Sequence, residues 1–447
     1  MVAVVINIIC LIIVSISLWN YKVGFVLSLC AKIIFPSFVS VKVAGGAINV
    51  HDLLLLGLLA SFVINKIYRN IEFPILIKRL FLIQIIATFL LILFSSQVVP
   101  LEYQIKALIK GTIFQEILYL VLGVYAILQA DYKVFLHIIL VVSIIVGIYG
   151  VLSYFIGSNL YVNYLSVLYS GYESLFSVFS EEERGGLSGR VSGTFSHPLT
   201  WGQFWDIILA LYFIFKKDIN SYIRYGVLLL ALVNIVLSGS RSAIVAAIVA
   251  GLFYLFSLTP KKQFKTLFSF VIITFLFCIY GMGNRAFNNI YNYILSAIYF
   301  WDSEKSSNIG IVGSSTSMRE EQFLEAWDIA EKHIGGYGYQ YQFYILGTIH
   351  ENTTLRGLES VFLKTLVEQG FLGTVIFVFL YFLFALYVIK YSSSGKERFI
   401  VWGYFISYLC SITMTGVQGT WIFFFVFPFL YVRKNIEMER LQKEISY

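Results

Sequence analysis

Charge is scarce in this sequence: Asp, Glu, Lys and Arg make up 13% of its 447 residues, against 59% that are hydrophobic. A soluble chain of that length places far more charge on its surface, so an ordinary soluble domain is excluded. Proline is scarcer still, at six residues, too few for a proline-rich linker or stalk. The four cysteines (Cys10, Cys30, Cys278, Cys410) lie in apolar runs without CxxC spacing or neighbouring histidines. That leaves them as small core residues rather than zinc ligands or a disulfide framework. There is no G-x-x-x-x-G-K-S/T phosphate loop, which argues against an ATP-driven pump, and no internal repeat of the kind many transporters carry. Residues 1–19 lack the basic n-region and the small-residue cleavage site of a signal peptide, and read as a retained first helix.

What is plentiful is apolar run length. A helix needs about 20 apolar residues to cross a bilayer. Runs of that kind fall near 2–19, 23–40, 49–66, 80–97, 112–129, 135–157, 199–215, 224–238, 242–258, 264–282, 371–389, 398–415 and 418–432. The chain therefore reads as an all-α polytopic membrane protein with about 12–14 transmembrane helices. Its regions are N-terminal transmembrane helices at 1–157, a first long loop at 158–198 and central helices at 199–282. A larger loop at 283–370 and C-terminal helices with a tail at 371–447 follow.

The net charge of +7 follows the same logic. Lys66, Arg69, Lys78 and Arg79 share one loop; alternate loops then carry Lys133, then Lys216, Lys217 and Arg224, then Lys261, Lys262 and Lys265, then Lys390, Lys396 and Arg398. Arg433, Lys434, Arg440 and Lys443 follow in the tail. By the positive-inside rule this side is cytoplasmic, with Lys106 and Lys110 as exceptions, and no nucleic-acid partner is implied. The two long loops then face outward, where function tends to sit. In the second, 318–332 has helical spacing, with Phe323, Leu324, Trp327 and Ala330 on one face opposite Glu321, Glu325, Asp328 and Lys332. That predicts a helix lying on the membrane surface or on the bundle.

Several residues in these outer segments could carry chemistry. Arg241 stands in Leu-Ser-Gly-Ser-Arg-Ser-Ala between two apolar helices, where Ser240 or Ser242 can cap a helix start. A guanidinium beside free backbone N–H groups suits a phosphate or diphosphate, although a lipid headgroup or a neighbouring carboxylate would also satisfy it. Arg190 lies in Gly-Arg-Val-Ser-Gly-Thr-Phe-Ser-His-Pro just before a transmembrane run, with Ser196 and His197 as further polar groups. The bland alternative there is a polar loop with a proline in the first turn. Arg184, in the Glu-Glu-Glu-Arg run at 181–184, reads as an ion pair. Arg319 opens the amphipathic stretch that leads into His-Ile-Gly-Gly-Tyr-Gly-Tyr at 333–339, whose glycines fit an ordinary helix C-cap. Glu359 is the carboxylate that stands out: at membrane depth it is costly unless used as a base or paired, with Arg356 or Lys364 as partners in sequence. Glu368 reads as a helix-packing residue.

The order of these motifs resembles the Wzy-type O-antigen and capsular polysaccharide polymerases and their relatives, the O-antigen ligases. It rests on Arg190-Val-Ser-Gly-Thr-Phe-Ser-His-Pro, Ser238-Gly-Ser-Arg-Ser-Ala, Arg319 with Trp327 and Gly336-Tyr-Gly, and the segment 359–373 from Glu359-Ser-Val-Phe to Gly373. The resemblance implies a GT-C-type membrane glycosyltransferase that needs no metal, cofactor or nucleotide sugar. It implies polyprenyl-diphosphate-linked oligosaccharides as donor and acceptor, undecaprenyl diphosphate being the family's carrier. Arg190, Arg241 and Arg319 would hold the diphosphate and Glu359 would be the catalytic base, with His197, Ser240 and Arg356 as accessories. Ligases typically read His-Asn where this chain has Glu359-Ser360, which favours a polymerase of O-antigen, capsule or exopolysaccharide. The implied setting is the bacterial cytoplasmic membrane with the active site facing outward, among membrane lipids, a chain-length regulator and a flippase. Rival readings are a ligase-like transfer to lipid or protein and a lipid-linked sugar transporter. A transporter should line the mid-membrane with polar groups, whereas here the unpaired charges are expected in the external loops.

Overall fold

A computed structural model describes residues 2–43, 46–69, 72–170, 189–281, 291, 316–346, 354–355, 357–416 and 419–445. Within them the chain is an all-α polytopic bundle. Helices α1 (Val2–Trp19), α2 (Tyr21–Ile34) and α3 (Val50–Ile64) open it, with a small hairpin of β1 (Ser40–Val43) and β2 (Gly46–Asn49) between the second and third. The strands are antiparallel, Ser40 facing Asn49. Next come α4 (Ile75–Leu93), α5 (Leu101–Ala107), a π-helical stretch (Leu108–Leu118), α6 (Tyr119–Gln129), α7 (Tyr132–Ile156) and α8 (Leu160–Ser170). The central part holds α9 (Pro198–Phe215), α10 (Ser221–Leu237), α11 (Arg241–Ser257) and α12 (Pro260–Gly281). After them stand α13 (Thr316–Lys332), α14 (Tyr341–Leu346), α15 (Val361–Ile389), α16 (Gly395–Thr413) and α17 (Trp421–Ile445).

Among the described residues six helical stretches are long and apolar enough to cross a membrane: Val2–Trp19, Ile75–Leu93, Leu101–Gln129, Tyr132–Ile156, Pro198–Phe215 and Val361–Ile389. Three shorter apolar helices, Val50–Ile64, Ser221–Leu237 and Arg241–Ser257, accompany them. Their outward faces carry the hydrocarbon expected of a chain solvated by lipid: Leu82, Ile86, Phe89 and Leu93 on α4, and Ile145, Ile148 and Leu152 on α7, are exposed. Helix α9 is the opposite case and runs through the middle of the bundle. Trp201, Phe204 and Trp205 are fully buried there, and α9 packs against α10, α11, α16 and α17.

Capping side chains fix where the helices start. Asn20, Asp131, Asn220 and Ser394 each accept a hydrogen bond from a backbone N–H in the first turn that would otherwise lack a partner. Helix α15 is broken at Gly370, whose φ of 68° and ψ of −169° leave the helical region. The break frees the carbonyl of Val367, which accepts from Tyr337 N–H at 2.8 Å. The turn 333–339 is thus wedged into the break, so its glycines do more than cap α13. A Cβ on Gly335 would lie 2.4 Å from the carbonyl oxygen of Leu91, and one on Gly370 would lie 2.2 Å from that of Ile334. Backbone meets backbone here, and no larger residue fits.

The two ends of the bundle differ. At one end Lys434 pairs with Asp218 at 2.6 Å, Arg433 Nε donates to the carbonyl of Ala130 at 3.1 Å, and Lys216 bonds the Tyr254 hydroxyl. Three of the basic segments picked out by sequence thus converge. The other end carries residues 189–197, the α10–α11 turn, the start of α13 and the start of α15.

Helix α13 turns Gln322, Ala326, Ile329 and Ala330 into the bundle, where the small residues permit close approach to α15, while Phe323, Leu324 and Trp327 of its apolar face are 46%, 60% and 47% exposed. One expectation needs correction, since charges are not confined to loops: Asp206, Lys364 and Glu368 are buried within membrane-length helices.

Candidate functional site

The site is built around a turn. Helix α10 ends at Leu237, and the chain reverses through Ser238, Gly239 and Ser240 into α11. Ser240, fully buried, caps α11 by accepting from Ala243 N–H at 3.3 Å, and its hydroxyl lies 2.9 Å from that of Ser242. Arg241 is therefore the first residue of α11, where the helix dipole and free N–H groups favour an anion. Its side chain is half-buried.

Arg190 is brought to the same turn. Val191 N–H donates to the carbonyl of Leu237 at 2.9 Å, and Arg190 Nε donates to that of Ser238 at 3.2 Å. Arg190 is 4% exposed, and a cavity of about 20 Å³ opens beside it, bordered by Ser153, Asn159 and Gly189. Gly239 has a φ of 62°, and a Cβ there would lie 2.8 Å from Arg190 Cγ and 3.0 Å from its Nε. Glycine is required twice over: the backbone is left-handed and the arginine fills the space a side chain would need. The segment after Arg190 is itself anchored. Asn159 Nδ2 donates to the Gly193 carbonyl at 2.7 Å and to Ser192 Oγ at 2.8 Å, and Thr194 donates to the carbonyl of Ile33 at 2.5 Å. His197 caps α9, its Nδ1 accepting from Leu199 N–H at 3.0 Å, with Pro198 in the first turn. The imidazole thus has a backbone role that its place before the proline did not reveal.

Arg319 and Glu359 form the second unit. Arg319 Nε and Nη2 both donate to Glu359 Oε2, at 3.0 and 2.9 Å, and each side chain is 31% exposed. The partner for Glu359 in sequence was Arg356 or Lys364; the structure supplies Arg319 instead. Lys364 lies on the buried side of α15, its ammonium 4.6 Å from the Phe343 ring. Arg356 lies outside the described residues, as do 171–188 with Arg184. Gln322 holds the pair's backbone in place. It is fully buried, donates to the Thr354 carbonyl at 3.1 Å and accepts from Glu359 N–H at 3.4 Å. The signal for it was available, since 322, 326, 329 and 330 share one helical face.

The two units share the same end of the bundle through the loop before α17. A Cβ on Gly416 would lie 1.9 Å from the Leu358 carbonyl oxygen, next to Glu359, and one on Gly419 would lie 2.7 Å from Thr200 Cγ2. Thr420 Oγ1 donates to Gln203 at 3.2 Å. Gly202, on the same helix, packs on Ser238, Ser240 and Ala243. From Glu359 to Arg241 the contacts run through Gly416, Thr420, α9 and the serine turn.

Residues 226–378 match the family model described as O-antigen ligase. The match takes in Arg241, Arg319 and Glu359 and stops short of Arg190 and His197. No curated protein matches the chain. Arg241 and the Arg319–Glu359 pair thus lie in a segment, about a third of the chain, that is similar to the O-antigen ligase family.

Proposed function

We propose that this protein polymerises polyprenyl-diphosphate-linked oligosaccharide repeat units into O-antigen, capsule or exopolysaccharide at the outer face of the bacterial cytoplasmic membrane. The observation that carries the reading is the meeting of Arg190 with the Ser238–Arg241 turn, at the end of the bundle that also holds Arg319 and Glu359. A hydroxyl of the acceptor unit attacks the anomeric carbon of the donor sugar. The bond from that carbon to the diphosphate oxygen breaks, and the electron pair leaves with the polyprenyl diphosphate. Arg241 and Arg190, with the N-terminus of α11, stabilise the charge that builds there. Glu359 accepts the hydroxyl proton. Its carboxylate is held by Arg319 in the resting protein, so a diphosphate oxygen that takes over Arg319 would release the base as the donor arrives. The chain's own residues supply the charge stabilisation and the proton acceptor, without metal or nucleotide.

A ligase-like transfer to lipid or protein is the second reading, favoured by the description of the family that matches. Glu359-Ser360 in place of His-Asn supports the polymerase. Purified protein given only a labelled polyprenyl-diphosphate repeat unit separates them. A ladder of lipid-linked oligomers is expected. Transfer only when a lipid or protein acceptor is added, one unit per acceptor, would establish the ligase instead.

A further inference from the structure

A second site begins at Lys364, five residues along the chain from the Glu359 that Arg319 holds. Helices α4, α15 and α17, together with the π-helical stretch and α6, enclose a cavity of about 130 Å³. That is close to the volume of about 150 Å³ that admits a benzene ring, yet the lining runs along α15 from Lys364 to Phe384. The lining follows both parts of α15, on either side of the break at Gly370. One stretch is hydrocarbon and aromatic, formed by Leu80, Phe81, Leu380, Phe384, Phe425 and Phe429. Its other stretch is polar, and the polar groups are charged.

Lys364 and Glu368, 6% and 3% exposed, enter it from the first section of α15. Glu368 Oε1 accepts from Gln342 N–H at 3.3 Å. The π-helical stretch adds Thr112 and Glu116; such widened turns recur at functional sites. Thr112 is hydrogen-bonded to the Tyr339 hydroxyl. Neither carboxylate forms an ion pair within 4.0 Å of Lys364 among the described residues. The side-chain amides of Gln84 and Gln369 also face the cavity. With Lys32 also acting on Glu116, two ammonium groups balance the two carboxylates and leave no net positive charge to draw a phosphate or diphosphate. They suit a neutral group that both donates and accepts, and a sugar hydroxyl does both.

We infer that this cavity binds an amphiphile with one hydrocarbon chain in the aromatic stretch and an uncharged, hydroxylated head at Glu116, Lys364 and Glu368. The assignment stands on the cavity and does not depend on the polymerase reading. A glycolipid of the membrane and the sugar end of a lipid-linked acceptor share this chemistry.

Native mass spectrometry of the full chain, released from a polyoxyethylene detergent, tests it with octyl glucoside, octyl phosphate and octanol as probes. Retention of octyl glucoside at least ten-fold tighter than octyl phosphate is expected. The pair Glu116→Gln and Glu368→Gln should reduce it ten-fold or more, and Leu380→Trp should displace octyl glucoside and octanol alike. Arg241→Ala should leave it unchanged. Equal or tighter retention of octyl phosphate, retention that ignores both carboxylate changes, or loss with Arg241→Ala would overturn the inference. Competition then names the source. Displacement by a lipid-linked repeat unit identifies the acceptor, displacement by a membrane diglycosyl lipid alone identifies a resident glycolipid, and displacement by neither overturns the inference.

Discussion

Both ends of the bundle gather cations, and they use them differently. At the end holding the later turns of α17, Lys434 and Asp218 form a largely buried pair and Arg433 closes on a backbone carbonyl. These contacts staple α17 to the residues flanking α7 and to the end of α9. At the other end Arg190 and Arg241 converge on a glycine-serine turn that opens a helix, and Arg319 holds a carboxylate that is one-third exposed. Counting charge would not separate the two. What separates them is the turn: Arg190 and Arg241 meet at the left-handed Gly239 beside the serine-capped N-terminus of α11, where free N–H groups add to the guanidinium.

The comparison breaks most visibly at Glu359. Glu359→Gln keeps the shape and a hydrogen bond to Arg319 but removes the base, so chain growth should fall by about 10²- to 10⁴-fold, read as product length at equal protein. Activity retained within a factor of three would make Glu359 a structural partner of Arg319. Next comes Gly239→Ala, which forces a side chain into left-handed backbone against Arg190. It should cost about 1–3 kcal/mol and depress activity together with the melting temperature. At the stapled end, Asp218→Asn leaves Lys434 and the Tyr132 hydroxyl with a neutral partner. A loss of about 1–3 kcal/mol in thermal unfolding is expected, with turnover per folded molecule unchanged. The smallest effect belongs to Lys106→Ala. Its pair with Glu102 is fully solvated, 73% and 78% exposed, and neither melting temperature nor activity should move.

Much of the architecture was legible because a bilayer imposes simple rules. Apolar runs such as 135–157 and 199–215 coincide with α7 and α9, since length and hydrophobicity decide a span almost alone. Arg190, Arg241, Arg319 and Glu359 were also legible as polar groups at the edges of those runs. Their partners were not. The Arg319–Glu359 pair joins residues forty apart, and no local spacing specifies which of several cations reaches a carboxylate. The wedge of residues 333–339 into the break at Gly370 was hidden for the same reason, because a glycine after a helix looks like a cap until the facing backbone is known. For α13 the spacing specified an apolar face but not which residues pack against α15. In lipid and at its interface the large apolar residues can point outward, while Ala326 and Ala330 allow helices to approach. The cavity with Glu116, Lys364 and Glu368 needed α4, the π-helical stretch, α6, α15 and α17 to come together.

The most direct test of the account sets one cation from each end against the other. Arg241→Ala and Arg433→Ala, purified and matched for folded protein, are given the same lipid-diphosphate repeat unit, and release of polyprenyl diphosphate is measured. The account predicts that Arg241→Ala loses about 10²- to 10³-fold in rate while Arg433→Ala turns over like the wild type. Equal losses in both, or full activity in Arg241→Ala, would contradict the assignment of the glycine-serine turn as the diphosphate site.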